Sequence, residues 1–330
     1  MSALVRRRQI LIAGAAGGLA LLTGDARAAR DTTWCWRGAA LGADSTILLA
    51  HRDRAIAKQA IVACRAEIAR LERVFSLYQP DSAISRLNRQ GRLDEPPLEL
   101  VELLAFSARV SAATGGAFDV TVQPLWDLYA NHFAAAVPDP AGPATAALAT
   151  ATALVGWQAI EIGTDRIALH RPGMAVTLNG VAQGYITDRV ADLLRVRGFN
   201  NVLVELGEIR AVGRHPDGTP WQAGVADPRN PSAVLLQLPL EGKALATSGG
   251  YGTWFDTGHR HHHLFDPASG RSVFHHAGVS VIAARATVAD ALSTALAVLP
   301  AYAARQPLAA FGPATAYLRE PNGQQILLGV

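Results

Sequence analysis

Asn201 to Gly213 reads NVLVELGEIRAVG, two short β-rich runs, 201–206 and 209–213, on either side of Gly207. Just upstream, Val181 to Gly198 reads as a helix that ends at a glycine. The same texture spreads outward from this stretch. Short β-rich runs occupy 158–162, 166–170 and 174–178 before it, and 221–226, 234–238, 244–248, 260–265 and 277–283 after it. Glycine or Pro-Asp punctuation, as in His215-Pro216-Asp217-Gly218, separates several of them. A helix is expected at Thr287 to Leu299, stopping before Pro300, and a last pair of strands at 314–318 and 325–329. Toward the N-terminus, Ser45 to His51 (STILLAH) reads as a strand. Arg54 to Phe75 places Ile56, Ala60, Cys64, Ile68, Leu71 and Val74 on one helical face. Tyr78 to Asn88 reads as a polar loop, and Leu98 to Ala113 as an amphipathic helix closed by Thr114-Gly115-Gly116. Residues 133–150, rich in alanine and proline, read as a loop or insertion leading into another helix. Strands joined by short turns, with a few helices among them, predict an α+β fold with largely antiparallel sheets and flanking helices.

The chain has 330 residues and a formal charge of +3 from 30 basic and 27 acidic side chains. A basic balance of this kind hints at nucleic acid or an anionic membrane as partner. The first 28 residues remove the hint, because without Arg6, Arg7, Arg8, Arg27 and Asp25 the chain has 26 residues of each sign. Beyond them only Lys58 and Lys243 are lysines and no basic stretch survives, so no nucleic-acid partner is expected. A composition 50% hydrophobic and 17% charged excludes disorder.

Residues 1–28 read as a cleavable export signal, which leaves 29–330 as the functional domain. The apolar run Ile10 to Leu22 is broken by Gly14, Gly17 and Gly18. It is too short and too glycine-rich for a stable membrane span, which needs about 20 strongly apolar residues. Ala26-Arg27-Ala28 supplies a small-x-small cleavage site. Arg7-Arg8 followed by Gln9-Ile10-Leu11 looks like a twin-arginine signal, the alternative being an ordinary secretory signal with an extra arginine. Either way a periplasmic location is expected. Export permits a disulfide between Cys35 and Cys64, but sequence cannot show that they meet.

Four clusters are hard to explain by packing. In Leu178-Asn179-Gly180-Val181-Ala182-Gln183-Gly184-Tyr185 a strand enters a glycine turn and a helix begins, so backbone N–H groups can meet phosphate oxygens. The spacing is not that of a dinucleotide fingerprint. Asp290 and Thr294, four apart on a helix, project oxygens from one face. They can hold a hard cation such as Mg²⁺, or serve as a helix-dipole acid and a half-buried core hydroxyl. His259 to Asp266 (HRHHHLFD), with His275 and His276, suggests a transition-metal site. If 260–265 is a strand, however, alternation puts His261 and His263 on one face and Arg260 and His262 on the other. His263, just before the bend Asp266-Pro267-Ala268-Ser269-Gly270, is then placed as an acid/base group. Finally, Phe75 through Asn88 and Gly115 through Thr121 mix aromatic, small and polar residues at helix ends, where they can stack a planar ring or simply pack.

In chain order, FSLYQPDSAISRLN, GGAFDVTVQPLW, LNGVAQGYITDRVADLLRVRGFNNVLVELGEIRAVG, WQAGVADPR, ALATSGG, HLFDPASGR and ATVADALSTALAVL resemble the ApbE family of FAD:protein FMN transferases. The resemblance runs from about residue 40 to 300. The arginine pair and the NGVAQGYITDRV segment look most like its NosX branch, tied to nitrous oxide respiration. It implies a two-part fold with FAD in the cleft between the parts. It also implies Mg²⁺-dependent transfer of FMN to a Thr or Ser hydroxyl of a flavoprotein acceptor of the same compartment, with release of AMP. For the NosX branch the acceptor would be a membrane-bound, NosR-like protein.

By the same resemblance, Asp290, Thr294 and the carbonyl of Gly180 are Mg²⁺ ligands, and His263 is the base for the acceptor hydroxyl. Leu41, Tyr78, Ala117, Phe118, Asp119, Phe265 and Ser293 fall at or near FAD contacts, and Ser248 near the phosphates. Thr177 and Gln183 stand where many relatives have an aspartate and a lysine that contact FAD, so one charge of each sign is missing. Two other readings stay open. One is a flavin-binding or flavin-delivery protein with a degenerate site. The other is a periplasmic metal binder using His259, His261, His262, His263, His275 and His276.

Overall fold

The computed structural model describes residues 33–40 and 42–329. The export signal read at 1–28 and the flavin contact read at Leu41 lie outside the described residues. In chain order the strands are β1 (Thr33–Ala40), β2 (Ala43–Ala50), β3 (Arg92–Asp94), β4 (Ile160–Ile162), β5 (Arg166–Leu169), β6 (Val202–Glu205), β7 (Ile209–Val212), β8 (Trp221–Asp227), β9 (Asn230–Leu240), β10 (Ala244–Ser248), β11 (Gly278–Ala283), β12 (Thr315–Arg319) and β13 (Gln325–Gly329). The helices are α1 (Arg54–Phe75), α2 (Ala83–Gln90), α3 (Leu98–Ala113), α4 (Gln123–Phe133), α5 (Thr145–Thr152), α6 (Ala182–Val196), α7 (Ala286–Val298) and α8 (Arg305–Ala309).

Eight strands form one sheet in the order β1-β2-β6-β7-β10-β11-β12-β13, and each neighbouring pair is antiparallel. A three-stranded sheet, β3-β5-β4, and a hairpin, β8-β9, complete the strands. The predicted α+β class with antiparallel sheets is therefore the observed one. Alternation explains why the central strands read as continuous apolar runs. Ile47 and Leu49 of β2 and Val202 and Val204 of β6 face one core, with α1 and α6. Leu48, Leu203, Ile209, Ala211, Leu245 and Ile282 point to the opposite face, where Trp221, Ala223, Val225, Leu238 and Leu240 of the hairpin cover them. A sheet covered on both sides needs no polar face, so period-two polarity is lost. Around β10, β11 and β12 a further core gathers Leu292, Leu296, Ala246, Val279, Val281 and Leu318. Each fully buried leucine there contributes about 1.5–3 kcal/mol.

Four local expectations are corrected. The loop read at Tyr78 to Asn88 contains most of α2, because Ser82 Oγ accepts from Ser85 N at 3.1 Å and Gly91 closes the helix with φ 69°. The 174–178 run pairs with no strand; Asn88 instead bonds Val176 through both its amide atoms, at 2.7 and 2.8 Å, and Thr177 N donates to Val120 O. A side chain here takes the place of a neighbouring strand. Helix α4, begun by Pro124, and strand β1 were not anticipated. The 260–265 run is not a strand either, but a loop held by two single bridges, Trp254↔His262 and Phe265↔Ser272. No helix among the described residues is long and apolar enough to cross a membrane.

Cys35 and Cys64 are both free thiols. Cys64 lies on the buried face of α1, and burial pushes its thiol up to about 12, while Cys35 is exposed on β1. A thiolate-selective reagent should therefore label one cysteine in native protein and two after unfolding, read by mass spectrometry. Labelling of neither residue until a reductant is added would show a disulfide instead.

Candidate active site

The site is built where α6 crosses α7. Asp188 of α6 is fully buried and accepts from Ala286 N at 3.0 Å, Thr287 N at 2.9 Å and Thr287 Oγ1 at 2.7 Å. These are the free N–H groups at the start of α7, and Arg285, the residue before that helix, supplies no side-chain cap. Asp188 thus caps α7 from a neighbouring helix, and Arg210 at 2.8 Å and Arg285 at 3.2 Å balance its charge. One turn earlier on α6, Gly184 N donates to Asp290 Oδ2 at 2.9 Å. A Cβ on Gly184 would lie 2.4 Å from Ala286 O and 2.8 Å from Asp290 Cβ, so only glycine permits this approach. Gly184 and Asp188 together fix the register of α7.

That register turns Asp290 and Thr294 into an open cleft of about 1500 Å³, part of it continuous with solvent. Ser248, at the end of β10, bonds Ser293 Oγ at 2.8 Å and Thr294 Oγ1 at 3.2 Å. Gly180, on the turn before α6, lies so close that an added Cβ would come within 2.9 Å of Thr294 Oγ1. Asp290, Thr294, Ser248 and Gly180 therefore border one space. Asp290 is 3% exposed, and burial raises its carboxyl above the usual carboxylate range.

His263 forms the opposite wall. Its Nδ1 lies 3.3 Å from Thr253 O, and since a carbonyl only accepts, Nδ1 carries the proton in that contact. Nε2 is then the basic nitrogen. Burial pushes the imidazole down to about 4, so the ring is neutral at physiological pH. Tyr78, 64% exposed, stands at the rim, and Phe118 and Phe265, both buried, offer apolar walls. Asp119 has a scaffolding job: Oδ1 accepts from Thr121 N and Thr121 Oγ1, and Oδ2 from Trp157 N, at 2.6 to 3.0 Å.

Of the residues singled out in the sequence, Tyr78, Ala117, Phe118, Asp119, Thr177, Gly180, Gln183, Ser248, His263, Phe265, Asp290 and Thr294 line this one cleft. Ser293 lies behind it, fully buried, with its Oγ donating to Asp290 O at 3.0 Å. Glu208, Thr253 and Trp126 also line the cleft and were not singled out. Glu208 follows Gly207 in the turn between β6 and β7, and an acid bordering apolar strands was the available signal. Trp126 belongs to the unanticipated α4.

The histidine run does not converge. His261 packs on Tyr129 and Phe133, His262 on Trp254 and Phe274, and His259 stacks on Trp254. His276 bonds Leu299 O at 3.0 Å. Among the described residues no group of three or more His, Cys, Asp or Glu can hold a metal ion, which overturns the transition-metal reading.

The cleft is thus bordered by acids, hydroxyls, aromatics and a histidine within an α+β fold. Known proteins give the class. The ApbE family model matches residues 41–318, and the chain belongs to that family. It is 34% identical over 237 residues to the FAD:protein FMN transferase of Haemophilus influenzae, covering 68% of each chain. To that of Klebsiella pneumoniae it is 30% identical over 281 residues, covering 82% of this chain and 77% of the other. Among solved structures, the apo flavinyl transferase ApbE of Pseudomonas stutzeri superposes with a TM-score of 0.74 at 31% identity, over 91% of this chain and 95% of that one. The flavin transferase ApbE of Vibrio cholerae gives 0.76 at 26% identity, over 90% and 97%. The chain is accordingly an enzyme of the FAD:protein FMN transferase class.

Asp188→Ala should cost about 3–5 kcal/mol, because it strands Arg210 and the N-terminal N–H groups of α7. Urea denaturation of the variant beside wild type measures this, and an unchanged midpoint would refute the clamp.

Proposed function

We propose that the cleft holds FAD with its diphosphate toward Asp290 and Thr294, and that His263 accepts the proton of a Thr or Ser hydroxyl from the acceptor. One observation carries the metal part of this reading. None of the described residues lining the cleft is lysine or arginine, while Asp119, Glu208 and Asp290 all line it. A dianionic diphosphate beside acids needs cationic charge from elsewhere. The oxygen-only donors Asp290, Thr294 and the Gly180 carbonyl fit a hard divalent cation such as Mg²⁺, and they lack the sulfur or imidazole that softer metals favour. Bound there, Mg²⁺ would supply charge neutralisation at the diphosphate.

The chain's own groups account for the rest. Gly184 N fixes one oxygen of Asp290 and leaves the other for the cation. The aromatic walls suit stacking on an isoalloxazine or adenine ring. His263, held by Thr253 O, takes the acceptor proton on Nε2 while the acceptor oxygen bonds to the FMN phosphorus. The P–O bond to AMP breaks, and AMP leaves with the bridging oxygen. We further read the chain as exported, by the twin-arginine route, to act on a periplasmic flavoprotein. The arginine pair and the NGVAQGYITDRV segment support membership of the NosX branch, with a role in nitrous oxide respiration and a membrane-bound, NosR-like acceptor.

Incubation with FAD, Mg²⁺ and an acceptor flavoprotein should release AMP and leave FMN on the acceptor after denaturation. EDTA should abolish both, and His263→Ala should slow transfer about 10²- to 10⁴-fold. Failure of AMP to appear with any metal or acceptor would end the transferase mechanism. Gln183 favours a second reading, flavin binding or delivery without transfer. Its amide lies against Gly207 in the cleft and brings no charge to the diphosphate. Stoichiometric FAD retention with no AMP would select it.

The pH profile tests the base. Burial lowers the His263 pKa from 6.5 to about 4, so the neutral, proton-accepting form persists below pH 6.5 and is lost only near 4. With FAD and Mg²⁺ saturating, transfer should show no acid limb at 6.5 arising from this ring. A limb at 6.5 that disappears in a His263 variant with residual activity would show an exposed imidazole instead.

A further inference from the structure

We propose that Glu208 is a second acidic ligand of the cation site, facing Asp290 across the cleft floor, so that two carboxylates rather than one hold the divalent ion. The inference deepens the metal reading above and rests on it. Glu208 comes from the turn between β6 and β7, and Asp290 from α7, so the two acids reach one space from separate elements. The backbone of Glu208 is fixed, since Leu206 N donates to its carbonyl at 3.0 Å and Thr187 Oγ1 of α6 approaches the same oxygen at 3.4 Å. The turn thus holds the Glu208 Cα at the cleft.

Both carboxylates are almost wholly buried, Glu208 at 8% exposure and Asp290 at 3%. Neither has a cationic partner among the described residues. The arginines beside α6 and α7 pair elsewhere, Arg210 with Asp188 at 2.8 Å and Arg285 with Asp188 and Asp192 at 3.2 and 2.7 Å. Glu208 meets only the backbone N–H of Thr247, and Asp290 only that of Gly184. Two buried acids that repel each other and share a cleft are costly in isolation. A hard divalent cation with oxygen ligands removes that cost at both residues at once. Structural acids in this fold look different, as Asp188 shows with its two arginines and three hydrogen bonds.

The test uses Mn²⁺ alone as probe, titrated calorimetrically into the full-length exported form of wild type, Glu208→Gln, Glu208→Asp and Asp290→Asn, with thermal melts with and without the metal. Glu208→Gln should weaken Mn²⁺ roughly 10- to 100-fold. It should also raise the metal-free Tm, because the like-charge repulsion is gone, and shrink the Tm rise that Mn²⁺ produces. Glu208→Asp should recover part of the affinity. An acid that is merely structural would lower the metal-free Tm when replaced. Wild-type Mn²⁺ affinity in Glu208→Gln, with Asp290→Asn impaired, would overturn the assignment of Glu208 alone. Wild-type affinity in both variants would overturn the cation reading of the cleft.

Discussion

The contact between Gly184 and Asp290 is the constraint on which the site depends. It joins two helices at the closest approach that a backbone allows, and it does so through the carboxylate that faces the cleft. Asp188, one turn along, caps α7 from outside and holds its first peptide groups in place. Without the glycine the helices would separate, and without the aspartate α7 could slide. Each residue is modest alone. Together they convert a helix-packing problem into the placement of one oxygen atom.

The second organising fact is electrostatic. The described cleft residues include acids and no lysine or arginine, while the arginines near α6 and α7 are spent on Asp188 and Asp192. The fold keeps its cations where they stabilise helix ends. Gln183, lying against Gly207, adds an amide and no charge to this lining. Burial keeps the His263 imidazole neutral, so the histidine adds no positive charge to the cleft either.

Much of this was legible in the sequence, and the exceptions have physical causes. The helices α1, α3, α6 and α7 were marked by their apolar spacing, and α3, α6 and α7 also by glycine or proline ends, because each buries an apolar face in the core. The cleft segments were marked by motif resemblance, and the structure draws twelve of the singled-out residues into one cleft. Helix α2 was hidden because a Pro-Asp-Ser turn is both a loop signal and, with Ser82 as cap, a helix start. The extended run at 174–178 looked like a strand because its residues suit one, yet Asn88 occupies the position of the neighbour. The histidines misled for a related reason. Clustering in sequence says little in a loop whose successive rings turn to Tyr129, Trp254 and Thr253 in turn. Glu208 passed unnoticed because the charge that makes it notable sits 82 positions away, at Asp290.

Helix α7 has no exposed residue at all; Ala289, Ala291, Leu292, Ala295 and Leu296 are sealed on every side of the two polar groups it delivers. A helix enclosed in this way cannot accommodate a larger side chain at one position by tilting at another. Packing on every side therefore fixes where Asp290 and Thr294 stand. The rim is more open, with Tyr78 standing in solvent, and the loop through Thr253 and Trp254 carries His263. The cleft thus combines one helix locked in the core with a rim open to solvent.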